Sequence, residues 1–348
     1  MSGNRPWPCV VETERLRLRP PQMQDAAFHH AVHSDARLFS VPGARRSTGA
    51  ESLAEFTGWL RSWERDGICY WLVEDRHTGA QLGFAGVRRE STGLNLYYRL
   101  SYGAHGYGFG AEAAKATLAW ACEWLPEPAV HGVIRFDNTA SIRSAEAAGL
   151  VCTEPRDALD PDGSAASGSR YGRWVSPTLV PISPEQAGEP GLAEEIVSLL
   201  RDHPAASSPG GTSPAVRRML LALAREESVL LTLRAHDGQL IGCGWAVVGI
   251  GTHAHTATVS HLCVRTPGRG HGRMLLAGLH GLLRREHPQV ELVAAETQGD
   301  PRAEGLLSAL GYREVGRLPG FVKVPTKEPA DQVIFLRALT PSAFTGSG

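Results

Sequence analysis

Apolar and polar positions follow two alternating patterns along the first part of the chain, which indicates mixed α/β structure. Apolar and polar residues alternate in Arg15–Arg19, and apolar positions recur at helical spacing in Ser52–Trp63. Two extended runs, Tyr70–Val73 and Leu82–Val87, flank the turn Thr78-Gly79 and predict a β-hairpin.

A glycine-rich turn opens a helix in each half of the chain. In the first half the strand Leu94–Leu100 leads into the turn Gly103–Gly110, and an alanine-rich helix is predicted over Ala111–Trp124. The second half repeats this order of strand, turn and helix in Thr256–Val264, Gly268–Gly272 and Arg273–Arg285. The repeat lies in the order of elements, since direct identity between the halves is low.

The residue types change between about Asp157 and Gly188, where Asp, Pro, Gly and Ser accumulate. This region predicts loop and linker, with one strand, Tyr171–Val175, that belongs to the first domain. A length of 348 residues allows about two domains. We expect a first domain over residues 1–176, a linker over 177–190 and a second domain over 191–348.

Composition argues against several classes of protein and partner. The chain has 35 Lys+Arg against 36 Asp+Glu, so it has no excess of positive charge for nucleic acid or a membrane surface. Its six cysteines form no C-x-x-C pair, and we expect reduced thiols. No segment approaches the ~18 apolar residues of a membrane span, and we expect a cytoplasmic protein.

Both glycine turns have the sequence of an anion-binding site. Each follows a strand and opens a helix, where backbone N–H groups and the helix dipole converge, and glycine lets the backbone approach a phosphate. The candidate residues are His105, Gly106, Tyr107, Gly108, Phe109, Gly110 and Ala111 in the first half, and Arg269, Gly270, His271, Gly272 and Arg273 in the second. The alternative is a merely flexible connection. A dinucleotide fold would place its turn nearer the first strand, and a Walker loop would need Gly-Lys-Ser/Thr.

Several further segments of the first half fit one family in order. They are Thr13–Pro20, Gly83–Gly86, His105–Ala113, Asn138–Ser141 and Glu146–Leu150. With them the first half resembles the GNAT superfamily of N-acetyltransferases, in its RimJ/RimL-like branch. The second half is similar to a small-molecule GNAT domain in Leu240–Gly244, Val259–Val264, Gly268–Gly272, Ala309–Tyr312 and Gly316–Phe321.

The resemblance implies an α/β (α+β) protein with two consecutive GNAT folds, each a mixed, mainly antiparallel twisted sheet flanked by helices. It implies acetyl-CoA as acyl donor, with the pyrophosphate on the glycine turn and the pantetheine between two splayed parallel strands. The acceptor amine then attacks the thioester directly. This reaction needs a base for the ammonium proton, donors for the oxyanion and an acid for the thiolate.

The resemblance gives the acid role to Ser141, with Asn138 near the pantetheine. The alternative for Ser141 is a helix N-cap. The glutamate that serves many relatives as base is replaced by Asn95 in the first half and by Thr258 in the second. Possible substitutes are Glu12, Glu90 or Tyr97 in the first half and His261 or Glu296 in the second.

The second half departs further from the family pattern. Pro267 stands where Gln or Arg is usual, a position that His105 takes in the first half. Leu307 stands where a tyrosine is usual, and leucine cannot donate a proton. No metal is expected, because the loop histidines His253 and His255 supply only two ligands.

These observations favour an enzyme whose first domain binds acetyl-CoA and performs the transfer, with Ser141, Tyr97 and Asn95 at the reaction centre. The second domain would shape the acceptor site or support the fold, and a catalytic second domain is the converse. The expected partner is a small metabolite or antibiotic with a primary amine. The alternatives are a protein N-terminus as acceptor, a carrier protein or aminoacyl-tRNA as acyl donor, or a CoA-binding module without catalysis. Nucleic acid is disfavoured by the charge balance.

Overall fold

A computed structural model describes residues 7–39, 47–157, 170–201, 212–322 and 329–339. The chain divides into two compact units, Met1–Ser176 and Pro177–Gly348. Each unit contains one mainly antiparallel sheet with helices, which confirms the predicted fold class. Among the described helices, none has the length and apolar character to cross a membrane.

The first unit is built on an eight-stranded sheet in the order β1-β2-β3-β4-β5-β6-β8-β7. Its strands are β1 (Val11–Glu12), β2 (Leu16–Arg19), β3 (Tyr70–Asp75), β4 (Gln81–Glu90), β5 (Gly93–Leu100), β6 (Val130–Arg135), β7 (Val151–Asp157) and β8 (Arg170–Val175). Its described helices are α1 (Ala26–Ser34), α2 (Gly49–Asp66), α3 (Phe109–Trp124) and α4 (Thr139–Ala147). Neighbouring strands are antiparallel except for β5 and β6.

Helix α2 shows how local sequence sets an element and its buried face. Thr48 and Glu51 form a capping box at its start, and Gly67 ends it in the left-handed conformation with φ +68°. Trp59 and Trp63, four residues apart on one face, are 2% and 3% exposed and belong to the core of the unit.

The Gly83–Gly86 segment of β4 has a steric explanation. A Cβ atom on Gly83 would lie 2.3 Å from the carbonyl oxygen of Arg99, and one on Gly86 would lie 2.7 Å from that of Cys69. These glycines allow β4 to fit between β3 and β5. The motif therefore positions the strand that carries one wall of the site described below.

The second unit is built on a seven-stranded sheet in the order β14-β15-β13-β12-β11-β10-β9. Its strands are β9 (Thr178–Ile182), β10 (Ser228–Arg234), β11 (Leu240–Val248), β12 (Thr256–Val264), β13 (Leu292–Thr297), β14 (Arg313–Val322) and β15 (Ala330–Ala338). Its described helices are α5 (Leu192–Arg201), α6 (Thr212–Ala224), α7 (His271–Glu286) and α8 (Pro301–Ala309). Here β12 and β13 form the parallel pair.

The segment 177–190, expected as a linker, is structured in the second unit. Strand β9 pairs antiparallel with β10, with Ile182 opposite Leu230. Pro181 suggested a loop, but β9 lies at the edge of the sheet, where a missing N–H is tolerated. The prediction of a linker over these residues was therefore wrong.

The helices after the two glycine turns begin two residues earlier than predicted. Helix α3 begins at Phe109 instead of Ala111, and α7 begins at His271 instead of Arg273. The pattern led to later starts because a glycine, Gly110 or Gly272, occupies the second helical position and counts as a turn residue.

Candidate active site

The turn between β5 and α3 presents open backbone at the start of a helix. Gly106 and Gly108 adopt the left-handed conformation, with φ +86° and +78°, and Gly108 is the N-cap of α3. A Cβ on Gly106 would meet nothing within 4 Å. The first N–H groups of α3 have no carbonyl partner within the helix, so they can donate to an anion.

The two parallel strands beside this turn diverge. Strands β5 and β6 pair only at Leu94 with Val130 and at Asn95 with His131. Beyond these positions β5 continues to Leu100 and β6 to Arg135 without further pairing. The gap between them opens towards the end of β5 from which the turn starts. This is the arrangement that the family resemblance implies for the pantetheine arm.

The other predicted residues of this turn are His105, Tyr107, Gly110 and Ala111. Nε2 of His105 lies 3.3 Å from the carbonyl oxygen of Leu100, and the exposed ring of Tyr107 stacks on Phe109 at 5.8 Å. Gly110 and Ala111 are half-buried in the first turn of α3. The structure therefore gathers His105–Ala111 at one helix end, and their contact with a cofactor stays a prediction.

Helix α4 brings Asn138 and Ser141 to β5. The side-chain oxygen of Asn138 accepts the backbone N–H of Ser141 at 3.0 Å, so Asn138, and not Ser141, is the N-cap. The hydroxyl of Tyr98 on β5 donates to the carbonyl oxygen of Ser141 at 2.6 Å. Within the described part of the chain, the hydroxyl of Ser141 has no hydrogen-bond partner. The serine is thus tied to a diverging strand while its hydroxyl is uncommitted.

Tyr97 lies on the other face of β5, as the alternation of strand side chains requires. Its hydroxyl pairs with Nε2 of His33 on α1 at 2.7 Å. Nδ1 of His33 lies 2.8 Å from the carbonyl oxygen of His29, which can only accept, so Nδ1 carries the proton and Nε2 accepts from Tyr97. Burial raises the pKa of Tyr97 and lowers the pKa of His33 to about 4, so both are neutral near pH 7.

Asn95 and Glu90 place a carboxylate at the closed end of the gap, where β5 and β6 begin to separate. Asn95 is at the last paired position of β5 and β6, and its side-chain amide donates to Glu90 at 2.9 Å. Arg88 donates to the same oxygen at 2.7 Å. Burial disfavours the ionised form, but these two bonds outweigh it and lower the pKa of Glu90. Glu90 is therefore a carboxylate near neutral pH.

Glu12, another candidate base, does not join these residues. It lies on β1, four strands from β5 in the sheet, and forms an ion pair with Arg76 at 3.3 Å. Both side chains are about half exposed. The structure separates Glu12 from the residues around the gap.

A histidine pair that the sequence analysis did not single out lies behind Tyr97. His29, His33 and Glu55 have possible ligand atoms within 4.8 Å of one another. The two rings stack at 3.9 Å with an interplanar angle of 21°. Both ring nitrogens of His33 already have hydrogen-bond partners, the carbonyl oxygen of His29 and the hydroxyl of Tyr97. The geometry supports a buried neutral pair that backs Tyr97.

The second unit repeats the turn at a constant offset. Three left-handed glycines of the second unit each lie 162 positions after a left-handed glycine of the first unit. The pairs are Gly106 with Gly268, Gly108 with Gly270, and Gly149 with Gly311. Gly270 likewise caps its helix, and β12 and β13 pair in parallel only up to Val259 and Ala295. The backbone conformation of the turn and the diverging parallel strands are therefore present twice.

The side chains of the second turn differ from those of the first. Arg269 is exposed and Arg273 is half-buried, whereas His271 is only 9% exposed. At the offset of Ser141 stands Ala303, and Leu307 is buried. This unit thus lacks a hydroxyl at both positions that the family resemblance assigns to the acid.

The candidate bases of the second unit are also engaged. The ring of His261 stacks on Trp245 at 5.6 Å, and burial lowers the pKa of His261. A carboxylate oxygen of Glu296 accepts a hydrogen bond from Gln332 at 2.6 Å. His261 lies on β12 and Glu296 on β13, the two diverging strands of this unit.

Comparison with known proteins decides the class of the first unit. Residues 15–151 match the family described as acetyltransferase (GNAT) domain. The first unit contains an acetyltransferase domain. This domain runs from the residue before β2 to the start of β7 and includes the turn, the gap and α4.

The proteins and solved structures to which this chain is similar include three from bacteria. "Uncharacterized protein YkkB" of Bacillus subtilis (strain 168) is 27% identical over 147 residues, which is 40% of this chain and 83% of that protein. The structure of an acetyltransferase (GNAT family) from Bacillus anthracis is 16% identical with a TM-score of 0.42, covering 48% of this chain and 96% of its own. An acetyltransferase from Agrobacterium tumefaciens str. C58 is 23% identical with a TM-score of 0.40, covering 50% and 98%.

Proposed function

We propose that this protein transfers the acetyl group of acetyl-CoA to a primary amine of a small metabolite or antibiotic, and that the acetyltransferase domain carries the reaction. The observation that supports this most is the pair of left-handed glycines, Gly106 and Gly108, at the start of α3 beside the diverging strands β5 and β6. A Cβ would be free of clashes at either glycine, so the surface is open to a ligand.

Binding of the donor falls to the backbone. The N–H groups of Phe109, Gly110 and Ala111 face a pyrophosphate, and the gap between β5 and β6 accepts the pantetheine arm. Bound acetyl-CoA supplies the thioester that carries the acetyl group. The reaction forms a C–N bond, breaks the C–S bond, and releases CoA thiol and one proton.

Glu90 is our candidate for the base that removes the ammonium proton of the acceptor. It is ionised near neutral pH, and Asn95 holds it at the closed end of the gap, where β5 and β6 begin to separate. Asn95 has no basic group of its own, so its role is to position Glu90. Asn95 thus occupies the position where many relatives carry a glutamate, and the carboxylate of Glu90 is bound to its side chain.

Tyr97 orients the acceptor, and Ser141 protonates the leaving thiolate. Because the hydroxyl proton of Tyr97 is directed to His33, its oxygen can accept a hydrogen bond from an amine N–H. The Ser141 hydroxyl is uncommitted and lies on α4, which is tied to β5 through Tyr98. These roles require no covalent enzyme intermediate.

The second unit is assigned a supporting role. It keeps the backbone of the glycine turn at Gly268 and Gly270 but has Ala303 at the offset of Ser141. Without a hydroxyl there or at Leu307, the acid step has no candidate among the residues to which the family resemblance points. We therefore place the chemistry in the first unit.

The test is acceptor-dependent thiol release by the full chain. Acetyl-CoA is incubated with a polyamine, an aminoglycoside, an amino acid and a peptide with a free N-terminus, and free thiol and acetylated product are both measured. Thiol release with a small amine supports the proposal, and Gly108→Val should abolish it. Release with the peptide alone would make the acceptor a protein N-terminus. CoA binding without release for any amine would indicate a non-catalytic module.

A further inference from the structure

Arg15, just before β2, reaches across to the glycine turn although the turn is more than 90 residues away in sequence. Its Nε donates to Glu112 at 2.7 Å, and its Nη1 donates to the carbonyl oxygen of Tyr107 at 3.0 Å. The guanidinium lies 4.7 Å from the centre of the Phe109 ring. The cation is thus fixed against the start of α3 by contacts on three sides.

The fixed guanidinium still has unused donors. Of its five N–H groups, the Nε and one on Nη2 bond Glu112 and one on Nη1 bonds Tyr107. Two N–H groups have no partner in the part of the chain that the structure describes, and the side chain is 41% exposed. Nη2 lies 3.7 Å from the Cβ position of Gly108. The free donors are therefore beside the backbone N–H groups of the turn.

The local charges explain why a cation is needed here. The segment 103–111 contains neither Lys nor Arg, and the ring of His105 bonds the carbonyl of Leu100. Glu112, in the first turn of α3, would repel a phosphate if it were unpaired. Thr13 also donates its hydroxyl to Glu112, at 2.5 Å. The negative charge of Glu112 is therefore balanced by Arg15, and the carboxylate fixes the position of the guanidinium.

We propose that Arg15 binds a phosphate of the acyl donor, and that Glu112 positions it for this contact. The inference rests on the proposed function, because it takes a CoA thioester as the ligand. The turn has no Lys or Arg of its own, and Arg15, which precedes β2, places a positive charge beside it. This device is particular to the first unit, since Met274 stands at the offset of Glu112.

Calorimetry on the full chain tests the assignment with two ligands, CoA and pantetheine, which lacks the phosphates. Pantetheine affinity is measured by displacement against CoA. Arg15→Gln should weaken CoA binding at least tenfold and change pantetheine binding less than twofold. Arg15→Lys, which keeps the charge without the planar fork, should give an intermediate affinity for CoA. The control is Arg17→Gln, because Arg17 lies two residues further on, in β2, and reaches carboxylates only at 3.9 Å.

Glu112→Gln separates phosphate binding from a structural clasp. Gln keeps the shape and can still accept from Arg15, so CoA affinity should stay equal or increase as the negative charge is removed. Equal loss of CoA and pantetheine in Arg15→Gln, or a loss in Glu112→Gln as large as that in Arg15→Gln, would overturn the inference. If the unaltered chain failed to bind CoA, the proposed function would fail and this inference with it. If the chain bound CoA but Arg15→Gln left its affinity unchanged, only the inference would fail.

Discussion

Asn95 donates its side-chain amide to Glu90 at 2.9 Å, across the tight connection between β4 and β5. Asn95 is the last residue of β5 that pairs with β6, so this bond holds a carboxylate where the two parallel strands begin to separate. The same carboxylate accepts from Arg88, which lowers the pKa of Glu90 together with Asn95 against the opposing effect of burial. The geometry thus supplies a base beside a residue that cannot be one.

Removing this carboxylate should slow turnover without weakening the donor. We expect Glu90→Gln to lower kcat about a hundredfold, the usual scale of general-base catalysis, with CoA affinity unchanged. Thiol release and calorimetry give the two quantities. Glu127→Gln is the matched control, since Glu127 pairs with the neighbouring Arg89 at 2.6 Å. Turnover of Glu90→Gln within twofold of the unaltered chain would exclude Glu90 as base.

Tyr97 should affect the acceptor amine and leave the donor unaffected. Because its proton is directed to His33, the hydroxyl oxygen can act as a hydrogen-bond acceptor for the amine, and Tyr97→Phe removes that acceptor. We expect the KM for the amine to rise about tenfold, as for loss of one hydrogen bond, with the KM for acetyl-CoA unchanged. Tyr102→Phe serves as control because Tyr102 is 49% exposed. An increase in the KM for acetyl-CoA instead would place Tyr97 in the donor site.

Ser141→Ala tests the acid. The substitution removes a hydroxyl that has no partner among the described residues and leaves the backbone bonds to Asn138 and Tyr98 intact. We expect kcat to fall about a hundredfold with CoA affinity nearly unchanged. In the control, Ser144→Ala, the lost hydroxyl bonds the carbonyl of Ala140 at 3.0 Å. If Ser141→Ala kept full turnover, the thiolate would take its proton from another group.

The buried histidines predict acid sensitivity of the first unit. Burial lowers the pKa of His29 to about 3 and that of His33 to about 4, with neighbouring His30 and Arg99 adding to the effect. Below pH 6.5 the unfolded chain binds protons that the folded chain does not, so stability is full above that pH and is lost as pH falls towards 4. Each histidine should reduce the free energy of unfolding by about 2 kcal/mol at pH 5.

Tryptophan fluorescence during denaturant unfolding measures this loss, since every tryptophan except Trp245 lies in the first unit. His33→Gln should remove about half of the difference in stability between pH 7 and pH 5. His77→Gln, an exposed turn residue, should leave that difference unchanged. If the first unit were equally stable at pH 7 and pH 5, the two histidines would bind protons at pH 5 in the folded chain as they do in the unfolded chain, which contradicts the prediction.

The sequence predicted best those elements that depend only on local residue patterns. Strand β5, its glycine turn and α3 follow from periodicity and from glycine at positions with positive φ, all of which are local properties. Even there the start of α3 was predicted two residues late, because Gly110 was counted as part of the turn. Strand β9 was missed because proline is typical of loops, and the sequence does not show that β9 lies at the edge of the sheet, where a proline is tolerated.

The contacts that give the site its chemistry depend on distant pairings. Tyr97 meets His33 from 64 residues away, and Arg15 meets Glu112 from 97 residues away. No periodicity encodes such contacts, because they result from the order of strands and the packing of α1 and α3 on opposite faces of the sheet. The sequence named Tyr97 and Asn95 as candidates, but it did not single out His33 or indicate that Asn95 holds Glu90.

The central claim is that the first unit binds acetyl-CoA through its glycine turn, and calorimetric stoichiometry on the full chain tests it most directly. We expect one site per chain, lost in Gly108→Val and retained in Gly270→Val. The control Gly79→Val places the same strain on a left-handed turn glycine of the hairpin and should leave binding intact. Binding that survives Gly108→Val but is lost in Gly270→Val would move the donor site to the second unit and contradict the account.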